Sequence, residues 1–291
     1  MKRKSFSNKK KNYSIRLQKT VPPLPAQPAY RMQVSCATDR GPKSSNEDYY
    51  GFRHGSEIIT FDQFRNSFIT ELSGHDDLVA AVADGVTMTW HPDNPEEDAQ
   101  AIAVKYLLNT DYYRFNMDQQ VPFIADDLNN LVLSTSIRLG GLMATTISAA
   151  GIHNGMVRIM YIGDSPIIRI HQHKVTMITP VKYTSWLDDY LGNPLAYGSD
   201  MVSVSSFPAS AGDWLILATD GVTEALTLPD HSLDENLLLS VLETDCTNPA
   251  GALVKISGER IVPGTGHRCE DNRTAVVIRI MEADDGENER N

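Results

Sequence analysis

The apolar runs of this chain are short and β-rich, and helical periodicity is gathered into two regions instead of alternating with the runs one for one. That pattern argues against a doubly wound parallel sheet. Strands are expected at residues 32–38, 78–83, 144–153, 156–162, 166–171, 214–219 and 273–280. Asn154-Gly155 supplies the two positive φ angles of a tight type I′ turn, so the two strands it joins are antiparallel neighbours. Helices are expected at 95–115, where Asn94 can cap and Pro95 suits the first helical position, at 122–139, at 233–243, and at 249–260 with Asn248 as cap. A mostly antiparallel β core with helix pairs between strand runs predicts a layered α+β sandwich in one domain.

With 41% hydrophobic and 22% charged residues over 291 positions, the chain can bury a full core. It has no apolar run of the roughly 20 residues that a membrane-spanning helix needs, and no secretory leader is expected. Three scattered cysteines fit neither a zinc pair nor a disulfide framework, so a reducing, cytoplasmic setting is expected. Residues 1–31 hold nine Lys and Arg and no acid, which leaves 17 basic against 37 acidic side chains in the rest, a net of −20. Such an acidic body disfavours nucleic acid as a partner of the folded part. The boundaries read as a basic, Pro-rich tail over 1–31, a folded domain over 32–281 and an acidic tail over 282–291.

The carboxylates carry the chemistry. Two apolar runs end in Asp-Gly: Leu78 to Ala83 leads into Asp84-Gly85-Val86-Thr87, and Trp214 to Thr219 into Asp220-Gly221-Val222-Thr223. A strand buried on both faces cannot hold a free carboxylate, but its mouth can. Asn46-Glu47-Asp48 and Glu270-Asp271-Asn272 also abut β-type runs. If these ends converge, four or five carboxylates share one place, and divalent cations are needed to offset their repulsion. Oxygen-only ligation selects Mg2+, Mn2+ or Ca2+ over zinc.

In order and wording these segments resemble the metal-dependent protein serine/threonine phosphatases of the type 2C (PPM) class, as a divergent, bacterial-like member, over about residues 33–281. The segments are Thr38-Asp39-Arg40-Gly41 through Asn46-Glu47-Asp48, Val82-Ala83-Asp84-Gly85, Ala144-Thr145-Thr146, Ile162-Gly163-Asp164-Ser165, Ala218-Thr219-Asp220-Gly221-Val222-Thr223-Glu224, and Asp271-Asn272-Arg273-Thr274-Ala275-Val276-Val277. The resemblance implies a four-layer α/β/β/α sandwich with two mostly antiparallel sheets and a binuclear site of two Mn2+ or Mg2+ ions at one end. It implies that Asp84 bridges the ions with the Gly85 carbonyl assisting, that Asp220 and Asp271 complete one shell, and that Glu47 and Asp48 serve the second. Such a pair can activate a shared water for in-line attack on phosphorus, so no protein nucleophile is required. The implied activity is hydrolysis of phosphoserine or phosphothreonine in proteins. The implied partners are a phosphorylated protein substrate and a serine/threonine kinase as counterpart, and the implied state is a monomer.

The chain departs from the family at several places. Lys43 stands where the family has a phosphate-binding arginine, and supplies charge without the bidentate fork; Arg40 is near enough in sequence to substitute. After Gly85 the chain reads Val86-Thr87-Met88-Thr89-Trp90-His91, so no family-type proton donor is assignable; His91 is the nearest candidate but reads as an ordinary surface histidine. Residues 128–143 contain no acid, so two metals and no third are expected, and Asp164 reads as a turn carboxylate. An aspartate-nucleophile mechanism fails because Val82 and Ala218 occupy the nucleophile's places, and Gly41-Pro42-Lys43-Ser44 is no P-loop. The competing reading is a catalytically weak or inactive module of the same fold that binds phosphorylated partners.

Overall fold

The computed structural model describes residues 30–60, 67–73, 77–86, 90–114, 117–179 and 189–283. The basic, Pro-rich segment before Tyr30 and the acidic residues after 283 lie outside these. Among the described residues twelve strands build two six-stranded sheets. In chain-order numbering the first sheet runs β4 (Ser67–Ser73), β1 (Tyr30–Asp39), β12 (Arg273–Glu282), β11 (Trp214–Ala218), β8 (Ile167–His171) and β9 (Lys174–Met177). The second runs β10 (Ser203–Pro208), β7 (Met156–Ile162), β6 (Ile147–His153), β5 (Leu78–Asp84), β2 (Asp48–His54) and β3 (Glu57–Thr60). Every pairing between them is antiparallel.

The two-residue period of a strand sorts its side chains between two cores. From β5, Leu78, Ala80 and Val82 face the other sheet, while Val79, Ala81 and Ala83 face α1 (Ala99–Leu108) and α2 (Met117–Leu139). From β12, Val276, Ile278 and Ile280 face inward between the sheets, and Ala275 and Val277 pack on α5 (Glu235–Thr244) and α6 (Pro249–Glu259). Two short helices, α3 (Gly198–Met201) and α4 (Asp220–Thr223), interrupt the strand connections. The result is the expected α/β/β/α sandwich. No helix among the described residues is long and apolar enough to cross a membrane.

Local chemistry explains where elements start and stop. Asn94 caps as expected, but only a 3-10 turn over Pro95–Glu97; Asp98 then caps α1 by accepting from the Ala99 amide, so the expected helix at 95–115 is broken. The strand expected from residue 144 begins at Ile147, because Ala144 to Thr146 bond to the chain around Asp84. Helix α2 starts before Pro122 and carries it as an interior residue. Asn154 and Gly155 adopt φ of 51° and 71°, as a type I′ hairpin between β6 and β7 requires. Gly155→Ala is expected to cost about 1 kcal/mol, read in chemical or thermal melts, because only glycine holds that angle without steric cost.

Five strand ends meet at one end of the sandwich. In one sheet, Asp39 at the end of β1 pairs with Arg273 at the start of β12, and β11 ends beside them. In the other, Asp48 at the start of β2 stands opposite Asp84 at the end of β5.

Candidate active site

The cross-strand pair Asp48 and Asp84 places two like charges opposite each other, an arrangement that opposes the fold. Asp220, the first residue of α4, joins them from the other sheet. Thr219 links the sheets: its Oγ1 donates to Asp48 Oδ2 (2.9 Å) and accepts from the Thr274 amide (3.0 Å). The Ala144-Thr145-Thr146 segment holds the Asp84 backbone, with Thr146 Oγ1 accepting from the Asp84 amide (3.1 Å) and Thr145 Oγ1 donating to the Asp84 carbonyl (2.8 Å). The Gly85 amide donates to the Glu47 carbonyl (2.9 Å). Asn272 fixes the loop that carries Lys43 and Glu47: its Nδ2 donates to the carbonyls of Arg40 (2.7 Å) and Ser45 (3.0 Å), and its Oδ1 accepts from the Glu47 amide (2.8 Å).

Burial and mutual repulsion leave these carboxylates reluctant to ionise. Burial pushes Asp48 up to about 7, against hydrogen bonds from Thr274 and Thr219 that favour the charged form. Burial, followed by the charges of Asp271, Glu224 and Asp164, raises Asp220 to about 7. Asp84 is held well above the ordinary carboxylate range by burial and then by Asp48, Asp220 and Asp271.

Lys43 donates to Asp271 and, at 3.3 Å, to Glu47. Burial alone would lower its pKa, but Asp271 and Glu47 more than offset that and raise it. The expected phosphate clamp therefore lies among the expected ligands. Arg40 turns to the Ser44 carbonyl (3.2 Å). Two residues that the sequence did not single out as site groups, Glu224 and Asp98, also stand here, beside His91. Glu224, raised by burial and by Asp271 and Asp164, occupies the last position of the Asp220 motif, the one signal that could have found it. Asp98 and His91 form a pair, with Nδ1 2.6 Å from Asp98 Oδ2 and Nε2 3.9 Å from Glu47 Oε1. His91 is thus no ordinary surface histidine. The Asp98 hydrogen bond raises its pKa against the opposing effect of burial.

Among the described residues no group of three or more His, Cys, Asp or Glu side chains stands in ligating geometry. Lys43 instead engages Asp271 and Glu47. The donor chemistry nevertheless fits a hard divalent cation. Every candidate ligand is an oxygen, and Asp48 Oδ1 and Asp220 Oδ1 are both buried without a hydrogen-bond partner. A cation is the group that would satisfy those oxygens and relieve the repulsion.

Residues 116–281 match the stage II sporulation protein E (SpoIIE) family. No curated protein matches the chain. Among solved structures, the chain is similar to the catalytic domain of the serine/threonine protein phosphatase PstP in complex with two manganese ions, at 17% identity and TM-score 0.59, covering 87% of this chain and 99% of that one. It is also similar to the PPM Ser-Thr phosphatase MsPP of Mycobacterium smegmatis in complex with cacodylate, at 21% identity and TM-score 0.56, covering 84% and 97%. A third is the serine/threonine phosphatase of S. agalactiae, at 16% identity and TM-score 0.56, covering 85% and 99%. At these identities the likeness establishes the fold alone.

Proposed function

The chain belongs to the SpoIIE family, and from that premise we propose that it is a metal-dependent phosphatase acting on phosphoserine or phosphothreonine in proteins. The observation that carries this reading is the convergence of Asp48, Asp84 and Asp220 from two sheets, with two buried carboxylate oxygens unpartnered. Asp84 with the Gly85 carbonyl, Asp220 and Asp271, and Glu47 with Asp48 would hold two Mn2+ or Mg2+ ions. Such ions, when bound, supply Lewis-acid charge and acidify water.

The protein's own residues prepare the rest. Thr219 and Asn272 lock the two sheets and the Lys43 loop into one frame, so the carboxylates keep their places as charge changes. Lys43, a point charge at the mouth, is placed to pair with phosphoryl oxygens. Lys43→Ala is expected to lower kcat/KM for a phosphopeptide about tenfold, mainly through KM, as loss of one charge-assisted contact does. The working unit is residues 32–281. The protein would act as a cytoplasmic monomer opposite a serine/threonine kinase.

One observation favours the second reading, a module that binds phosphorylated partners without turnover: Lys43 already neutralises part of the cluster. Titration calorimetry with Mn2+, followed by p-nitrophenyl phosphate hydrolysis, separates the two. Two ions per chain with turnover support the enzyme, and no ion bound with no turnover supports the module.

A further inference from the structure

The ligands placed around the two ions are all oxygens, and one nitrogen stands beside them. His91 Nε2 faces Glu47 Oε1 at 3.9 Å, and it is buried with no hydrogen-bond partner. The other ring nitrogen, Nδ1, lies 2.6 Å from Asp98 Oδ2. Asp98 is itself fixed, because its Oδ1 accepts from the Ala99 amide (2.7 Å) at the start of α1. The chain before the ring is anchored too, with the Trp90 amide donating to the Leu142 carbonyl (2.9 Å). The imidazole is thus held through one nitrogen with the other turned to a carboxylate, and the Val86 carbonyl also lies by the ring.

Hydrogen bonding alone leaves this arrangement incomplete. With Nδ1–H donated to Asp98, the Nε2 lone pair faces an anionic oxygen. With both nitrogens protonated, the Nε2 proton has no acceptor in bonding geometry. A cation between Nε2 and Oε1 satisfies both atoms, and the 3.9 Å between them is spanned by bonds of about 2.1 Å to each. We infer that His91 is a ligand of the ion that Glu47 serves, oriented by Asp98, an inference that rests on the metal-dependent reading of the site. A ligating histidine characteristically gives its second N–H to a carboxylate, the relation in which His91 stands to Asp98. Imidazole nitrogen suits Mn2+ better than Mg2+, which keeps to oxygen, so this position should prefer Mn2+.

Pulsed electron paramagnetic resonance of the full chain loaded with MnCl2 tests this, beside titration calorimetry with MnCl2 and with MgCl2. Wild-type protein should show the hyperfine coupling of a directly bound imidazole nitrogen, and His91→Gln should lose it. The same variant should weaken Mn2+ binding at one position by at least about tenfold and Mg2+ binding by less than about twofold. Asp98→Asn should also weaken Mn2+, because its amide would donate to Nδ1 and leave the ring proton on Nε2. No nitrogen coupling in the wild type, a coupling that survives in His91→Gln, or equal effects on Mn2+ and Mg2+ affinity overturns the inference. The wild-type coupling requires no variant to fold. Hydrolysis of p-nitrophenyl phosphate by the Mn2+-loaded wild type reports separately on the phosphatase reading. Turnover without the coupling refutes the ligand alone, coupling without turnover refutes the phosphatase alone, and a wild type that binds no Mn2+ refutes both.

Discussion

Asp84→Asn is expected to lower phosphate release by at least on the order of 10³-fold while making the protein more stable to heat at pH 8 in a chelator. The two effects share one origin. Asp84 faces Asp48 across the strands and feels Asp220 and Asp271, and these charges with its burial hold its pKa well above the ordinary range. An unfolded aspartate ionises near ~3.9, so as pH rises from there the unfolded chain gives up a proton that the folded chain retains. Wild-type stability from this group is therefore full at low pH and is lost as pH rises toward the folded pKa. Asparagine cannot ionise and is spared that loss. Melting curves at pH 4.5 and pH 8 should show the variant's advantage only at the higher pH. An equal offset at both would mean that repulsion is not what Asp84 contributes to the fold.

Gly221→Ala is expected to be the most damaging single-methyl addition at the site. A Cβ there would sit 1.9 Å from the Asn272 carbonyl oxygen and 3.3 Å from Asp271 Cβ, and the nearest obstacle is backbone that cannot swing aside. Relief requires α4 to move away from β12, carrying Asp220 with it. Overpacking of this kind costs about 3 kcal/mol or more, which in a domain of this size lowers Tm by roughly 6–12 °C. Activity should fall further than stability does, because Asn272 also holds the Lys43 and Glu47 loop. A variant with wild-type Tm would show that the approach of α4 to β12 is looser than 1.9 Å implies.

The interior of the fold was written plainly in the chain. β5 and β11 are buried on both faces and appear as unbroken apolar runs, and the Asn154-Gly155 hairpin follows from its turn residues. Five strands were not marked in advance: β2, which lies between β5 and β3, and β3, β4, β9 and β10, which are the four sheet edges. Edge strands such as Glu57–Thr60 and Ser203–Pro208 keep much of their surface in water and carry mixed side chains. Their conformation is set by the ladder to a neighbour, which no local window contains.

The site divides in the same way. Asp84, Asp220 and the Asn46-Glu47-Asp48 segment stand out because a charge closing an apolar strand is costly unless used. The pairing of His91 with Asp98 spans a Pro-rich turn of no periodicity, and Lys43 reaching Asp271 joins loops 228 residues apart in sequence. Such contacts arise from tertiary closure alone.

The most direct test of the account is phosphate release from a phosphothreonine peptide by the full chain, with and without millimolar Mn2+, beside an Asp84→Ala/Asp220→Ala double variant. The account predicts release that needs the metal and vanishes in the variant. Release that proceeds equally in a chelator, or persists in the double variant, would contradict a reaction centred on these carboxylates. Folded wild-type protein that releases no phosphate at any Mn2+ concentration would contradict the enzyme itself.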